Sequence, residues 1–303
     1  MGMIFDTHAH YDDHAFDSDR KELLSGLFGQ GVGLVMEASA AARNMPQILQ
    51  LTREYPFIYG SAGLHPCETY GCGDNMGQPV MIPPEQSWEP ENPAGRKLQA
   101  VLAAYDAEEI IDGHWTAGER EEQLIRAMLE QPKIMAVGEI GLDYHYDDTR
   151  KEIQKDWFAR QIAIAREYHR SIFIHSRDAA ADTLDMVKAE KACEAGGIVH
   201  CFSYSSEMAA AYVDLGFMIG VGGVVTYKNA KKLKEVVNRI PLQSIVLETD
   251  CPYLAPAPFR GKRNDSSMIR YTAEAVAAIK GIDVQEVIDV TEENARKVYQ
   301  MTD

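Results

Sequence analysis

Ala136-Val137-Gly138-Glu139-Ile140-Gly141-Leu142-Asp143-Tyr144 carries an apolar strand pattern, begun at Ile134, directly into a carboxylate flanked by glycines. Glycine has no Cβ, so neighbouring groups can approach the acid closely. Taken alone, Glu139 is as readily a solvated strand-end acid as a ligand. Its two oxygens nevertheless allow it to bridge two cations, which a single imidazole nitrogen cannot do. The same arrangement recurs along the chain. Ile4-Phe5, Gly33 to Met36, Ile58 to Gly63, Ile134 to Gly138, Ile172 to Ile174, Ile198-Val199, Phe217 to Val225 and Ile245 to Leu247 are short β-branched or apolar runs, and helical patterns separate them.

Such alternation predicts an α/β chain with a parallel sheet, and eight βα units predict a TIM (β/α)8 barrel with its catalytic groups at the C-terminal ends of the strands. His8 and His10, His65, Glu139, His175, His200 and Asp250 each follow a different expected strand, so this fold would bring them to one rim. Between the strands, Ile153, Trp157, Ile162 and Ala165 share one face of a helix expected over residues 150–170, and Asp283 with Glu286 resembles a capping box. A single domain over residues 1–303 is expected. The connection after the third strand, about residues 67–132, is too long for a βα loop and is expected to be an insertion. Its first half is rich in Gly and Pro. Arg96 to Ile111 and Glu119 to Leu129 within it read as helices, and surface decoration is favoured over a lid.

Lys and Arg number 30 against 46 Asp and Glu, a formal net charge of −16. That excess excludes broad electrostatic binding to nucleic acid and disfavours an anionic membrane surface, so any phosphate contact must be local. The start of the chain lacks the pattern of a signal peptide and no stretch resembles a membrane span, which predicts a cytoplasmic protein. The cysteines (Cys67, Cys72, Cys193, Cys201 and Cys251) are odd in number and scattered, and are expected to be reduced thiols. Cys201 and Cys251 adjoin ligand candidates but face the other way on a strand, and Cys67 with Cys72 lacks a second ligand pair.

In Asp6-Thr7-His8-Ala9-His10 the period of two puts both imidazoles on one side of a strand, where a single ion can be chelated. A lone His-x-His pair is a weak signal. His175 ends Ser171-Ile172-Phe173-Ile174-His175, His200 follows Ile198-Val199, and Asp250 closes Ile245 to Thr249, where a buried carboxylate would be costly without a partner or a metal. Together, His8, His10, Glu139, His175, His200 and Asp250 form a mixed imidazole and carboxylate set with no obligatory thiolate. Such a set suits catalytic divalent metal (Zn, Mn, Mg, Fe or Co) better than a closed structural zinc site. Asp250 is the candidate general base, with pure ligation as its competing role. His65, Arg177, Arg260, Lys262 and Arg263 supply local donors suited to phosphate oxygens. Tyr144, Tyr204 and Tyr253 could stack bases or simply pack in loops.

Phe5 to His10, Gly63-Leu64-His65-Pro66, Gly138 to Tyr144, Ile174 to Arg177, His200-Cys201-Phe202-Ser203, Glu248 to Leu254 and Phe259 to Asn264 resemble the motifs of the TatD family of metal-dependent deoxyribonucleases, within the amidohydrolase-like barrels. The resemblance covers nearly the whole chain outside the insertion. It implies that His8, His10, Glu139 and Asp250 hold one metal and that Glu139, His175 and His200 hold a second, with Glu139 bridging. Two features depart from the family: Asn264 is followed by Asp265-Ser266 where Glu-Pro is common, and the linker after His65 is longer.

The expected function is a divalent-metal-dependent phosphodiesterase or deoxyribonuclease acting on DNA ends through a metal-activated water. DNA or another phosphodiester is the expected partner, and no obligate protein partner is evident. An acyl-ester or amide hydrolase on the same site, such as an aminoacyl-tRNA deacylase, is the alternative. A metal-binding protein without catalysis, its barrel serving a partner surface, is the third reading.

Overall fold

The computed structural model describes residues 2–72, 92–103, 114–145 and 151–301. The strands among them are β1 (Ile4–Ala9), β2 (Val32–Glu37), β3 (Ile58–Ala62), β4 (Tyr70–Cys72), β5 (His114–Thr116), β6 (Ile134–Asp143), β7 (Ser171–Arg177), β8 (Gly197–Val199), β9 (Met218–Val221) and β10 (Ile245–Leu247). The helices are α1 (Arg20–Gly26), α2 (Met45–Glu54), α3 (Pro93–Ala103), α4 (Glu119–Leu129), α5 (Lys151–Glu167), α6 (Ala180–Ala189), α7 (Ser206–Asp214), α8 (Lys231–Arg239), α9 (Ile269–Lys280) and α10 (Val284–Val298).

Eight strands form one sheet in the order β1-β2-β3-β6-β7-β8-β9-β10. They answer one for one to the eight apolar runs. Pairing is parallel, as in Phe5 with Leu34, Gly60 with Ile134, Val137 with Ile172, Ile198 with Met218 and Ile245 with Ile219. Just past β10 the chain returns to β1. Ala9 and Cys251 form a parallel bridge, Asp250 N–H donates to His8 O at 2.9 Å, and His10 N–H donates to Cys251 O at 2.9 Å. The parallel order and this return are those of the expected (β/α)8 barrel. Strands buried on both faces explain why their sequences read as continuous apolar runs rather than as an alternation.

By compactness the chain divides into two units, residues 1–37, 57–59 and 196–303 in the first and residues 38–56 and 60–195 in the second. The first buries Ile4, Phe5, Val35, Ile198, Ile219, Val246 and Leu247 with Val276 of α9 and Val287 of α10. The second buries Ile134, Val137, Ile140, Phe173 and Ile174 with Ile48 of α2, Leu124 and Met128 of α4, and Trp157 and Phe158 of α5. Each such side chain contributes roughly 1.5–3 kcal/mol of transfer free energy.

The differences from expectation are local. The strand expected over Phe217 to Val225 stops at Val221, and Gly223–Thr226 turns as a short 3-10 helix. Here Gly223 lies so close to the following loop that a Cβ would meet Leu254 O at 2.5 Å, which leaves no room for a side chain at this turn. β4 and β5 pair antiparallel, a small hairpin-like sheet whose halves are too far apart in sequence to show a turn signal. The helix expected over Arg96 to Ile111 is Pro93–Ala103 in its described part; residues 104–111 lie outside the described residues, as does most of the Gly- and Pro-rich half of the insertion. Glu119–Leu129 is a helix as expected. Asp283 caps α10, its carboxylate accepting from Gln285 N–H at 2.7 Å. On α5, Trp157, Ile162 and Ala165 are buried while Ile153 is half-buried, and the buried face also takes in Gln154 and Gln161.

Candidate metal centre

In the first unit, β1 points His8 and His10 the same way, as the strand period requires, and their Nε2 atoms stand 3.1 Å apart. Two donors at roughly 2.0–2.1 Å from one zinc-like ion span about this separation. The His200 ring stacks on His8 with centroids 4.0 Å apart and planes 7° from parallel. Asp250 Oδ1 lies 3.5 Å from His10 Nε2 and 3.9 Å from His8 Nε2. His8, His200 and Asp250 each present a ligand atom within 4.8 Å of the others. Burial opposes the charge on Asp250, but the hydrogen bond with His10 and the imidazoles of His8 and His200 outweigh it and hold the carboxyl below its ordinary range.

These candidates are held by groups that sequence reasoning left without a role. Asp6 accepts from Thr249 N–H (2.9 Å), Thr249 Oγ1 (2.6 Å) and Ser266 Oγ (2.6 Å), tying β1 to the residue before Asp250. Burial raises its carboxyl to about 6 against these hydrogen bonds. Asn264 is wholly buried and its amide donates to Thr249 O (2.9 Å) and Tyr253 O (2.8 Å), fixing the peptide on either side of Asp250. Ser266, which stands where the family commonly has proline, supplies one of the bonds to Asp6. Glu248 Oε1 accepts from Cys201 N–H at 2.5 Å and so anchors the residue after His200; burial pushes this carboxyl up to about 8.

In the second unit, Glu139 is buried in β6 and its N–H donates to Ser39 O at 2.6 Å. Ser61 Oγ donates to Gly138 O at 2.6 Å, and Gly63 lies so near Gly138 that a Cβ would meet its backbone at 2.8 Å. His175 Nδ1 is 2.8 Å from Glu139 Oε1, and its Nε2 is 3.1 Å from Asp143 Oδ2. Burial opposes a charged His175, but hydrogen bonds to Asp143 and Glu139 override it and lift the imidazole to about 9. Asp143 is shifted the other way: burial would raise it, yet His175 and the His145 N–H hold it low.

His65 joins this cluster. Its ring centroid is 4.3 Å from that of His175, and its Nδ1 accepts from Cys67 N–H at 3.1 Å. The neutral ring therefore carries its proton on Nε2, which lies 3.7 Å from Glu139 Oε1. His65, Asp143 and His175 each present a ligand atom within 4.8 Å of the others. Asp143 was missed as a site residue although the signal was present: it lies four residues beyond Glu139 on one strand, with the same parity and a glycine between them. The two donor sets, nitrogens and hard oxygens with no thiolate, fit divalent transition metals or magnesium.

The cationic candidates differ in what they touch. Arg177 ends β7 exposed, and its carbonyl accepts from Tyr144 N–H at 2.9 Å. Arg260 and Lys262 are exposed on the loop that follows Asp250, with the Arg260 guanidinium 4.6 Å from the Tyr227 ring centre. Arg263 grips Asp19 with two hydrogen bonds of 2.7 and 2.6 Å, donates to Ala15 O at 2.8 Å and covers Phe16. Tyr253 is 55% exposed with its hydroxyl on Asp13, which leaves much of its ring open; the Tyr144 hydroxyl donates to Asp182. Cys251 is buried and Cys201 half-buried, and among the described residues Cys67, Cys193, Cys201 and Cys251 form no disulfide.

A family model described as TatD related DNase matches residues 5–300. The chain belongs to the TatD family. Like its TatD relatives it is a metal-dependent hydrolase. The metal-dependent hydrolase YabD of Bacillus subtilis is 35% identical over 299 residues, covering 99% of this chain and 100% of YabD. The 3'-5' ssDNA/RNA exonuclease TatD of a Rahnella species is 26% identical over 293 residues, covering 95% of this chain and 94% of its own. Among solved structures, the TatD homologue YjjV of Escherichia coli matches with a TM-score of 0.74 and 26% identity over 99% of this chain and 98% of YjjV. The TIM-barrel fold of this TatD chain is thus shared with a family member. Among the described residues no helix is long and apolar enough to cross a membrane.

Proposed function

We propose that this TatD-family chain is a cytoplasmic phosphodiesterase that removes nucleotides from DNA ends, with two divalent metals that His8, His10, Glu139, His175, His200 and Asp250 would hold. The observation that carries this reading is the convergence of His8, His10, His200 and Asp250 in the first unit, with His8 and His10 Nε2 3.1 Å apart, the His200 ring stacked on His8 and Asp250 Oδ1 3.5 Å from His10 Nε2. Glu139 with His175 at 2.8 Å in the second supports it. The name of the Rahnella relative, an exonuclease on single-stranded DNA and RNA, supports the substrate class. Bound there, divalent metals supply a water of lowered pKa and neutralise charge on the attacked phosphoryl group.

The chain's own residues would do the rest. Asp250 takes the proton of the attacking water on its carboxylate, its backbone held by its own N–H bond to His8 O and by the Asn264 amide on Thr249 O. His65 offers its Nε2 proton toward the substrate side of Glu139. Arg177, Arg260 and Lys262 bind phosphate oxygens, and the open ring of Tyr253 offers a face for a terminal base. Arg263 belongs to the same basic segment, but Asp19 already takes both arms of its fork. It is assigned here to holding the loop that carries Arg260.

This assignment separates two neighbouring arginines. Arg260→Ala is expected to raise KM for a single-stranded oligonucleotide about tenfold with kcat and metal content unchanged, the scale of one lost charge-assisted hydrogen bond. Arg263→Ala is expected to lower the thermal midpoint first. A KM left untouched by Arg260→Ala would remove that residue from phosphate recognition. The reading as a whole is tested with an end-labelled single-stranded oligonucleotide and an aminoacyl-tRNA, each assayed with Mg, Mn, Zn and Co. Metal-dependent release of mononucleotides is expected. Turnover of the aminoacyl ester with an intact oligonucleotide would overturn it.

A further inference from the structure

Two buried glutamines on α5 have no place in the chemistry above, and both hold backbone beside it. Gln154 accepts from Asp143 N–H through Oε1 at 2.9 Å and donates to Asp143 O through Nε2 at 2.9 Å. Gln161 accepts from Leu64 N–H at 2.7 Å and donates to Leu64 O at 3.1 Å. Each amide thus reads both backbone groups of one residue, as a neighbouring strand would. The two are seven residues apart, two turns of one helix, and therefore share a face. Both are almost wholly buried, at 2% and 1% exposure. A buried amide that makes two good bonds is stable there, whereas losing it would leave a peptide N–H and C=O without partners.

What the two clamps hold is specific. Asp143 is the carboxylate on His175 Nε2, at 3.1 Å, and its other oxygen is fixed by His145 N–H at 2.9 Å. Leu64 immediately precedes His65, whose ring lies against His175. A carboxylate on the far nitrogen of a metal-binding imidazole sets its tautomer and direction, and loss of such a partner typically weakens metal binding about 10–100-fold.

We infer that Gln154 and Gln161 are positioning residues, and that α5 acts as a rigid ruler setting His65 and the Asp143–His175 pair to one another. The inference rests on the metal reading only in what the positioned groups do; the positioning itself belongs to the metal-free chain. Both amides bond backbone, Gln154 that of Asp143 and Gln161 that of Leu64, and so act through it.

The test uses Gln154→Met and Gln161→Met, which keep volume and helix propensity and delete both bonds. Gln131→Met serves as a matched control, because Gln131 is also buried but among the described residues its amide bonds Ala127 O of the preceding helix, away from these histidines. In the metal-free protein, ¹H–¹⁵N spectra of the imidazoles report tautomer and hydrogen bonding. The His175 signals are expected to move in Gln154→Met and the His65 signals in Gln161→Met, and neither in Gln131→Met, although all three variants lose thermal stability. Titration with Co²⁺ is then expected to show at least tenfold weaker binding and an altered visible spectrum in Gln154→Met, which loosens the carboxylate on His175, and not in Gln131→Met. Imidazole signals that match wild type in both clamp variants would overturn the inference. Wild-type protein that binds no Co²⁺ would instead overturn the metal reading, with the imidazole spectra still deciding the positioning role.

Discussion

Asp250→Asn is expected to lower kcat for phosphodiester hydrolysis by about 10²–10⁴-fold, the range of a lost general base. The substitution is well posed for the backbone. Asp250 sits at φ +57°, in the left-handed region that Asn tolerates better than most residues, so the 2.9 Å bond from its N–H to His8 O should survive. What changes is the charge facing His10 Nε2 at 3.5 Å and the capacity to accept a proton. Ligation and base catalysis separate on titration with metal. If Asp250 only ligates, excess metal restores kcat; if it also takes the water's proton, the deficit persists at saturation. A variant within a factor of about three of wild type at saturating metal would remove Asp250 from the proton transfer.

Gly141→Ala should act on the fold with comparable severity. Gly141 lies between Glu139 and Asp143 on β6 at φ +142°, and a Cβ there would stand 2.0 Å from His175 O, a backbone atom that cannot swing aside. Backbone strain and overpacking add, and a loss of at least about 3 kcal/mol in urea unfolding is expected. The surviving folded fraction would have β6 and β7 pushed apart where His175 meets Glu139. Gly26→Ala is the control, because a Cβ at Gly26 meets nothing within 4 Å; it should change stability by less than about 1 kcal/mol. Equal effects in the two variants would show that the close approach at Gly141 is not what holds these strands in place.

The eight sheet strands were legible because strands covered on both faces read as apolar runs, and the ligand candidates because each stands where such a run ends. What escaped depended on neighbours distant in sequence. β9 gives way to the turn at Gly223, where Leu254 O leaves no room for a Cβ, and β4 with β5 pair across a long separation in sequence. Gln154 and Gln161 escaped because polar helix positions read as solvent-facing, whereas here each amide replaces a missing sheet partner. Arg263 reads with Arg260 by proximity, but Asp19, which occupies its guanidinium, lies far back in the sequence. Asp143 needed only strand parity, and its role emerges once His175 is seen to stand between it and Glu139.

The central claim, that Glu139 is among the residues that hold the proposed divalent metals, meets its most direct test in elemental analysis of wild-type protein and Glu139→Ala after identical metal loading and desalting. About two ions per chain are expected in the wild type and at most one in the variant, with hydrolysis of a single-stranded oligonucleotide abolished. A Glu139→Ala protein with wild-type metal content and wild-type turnover would contradict the account.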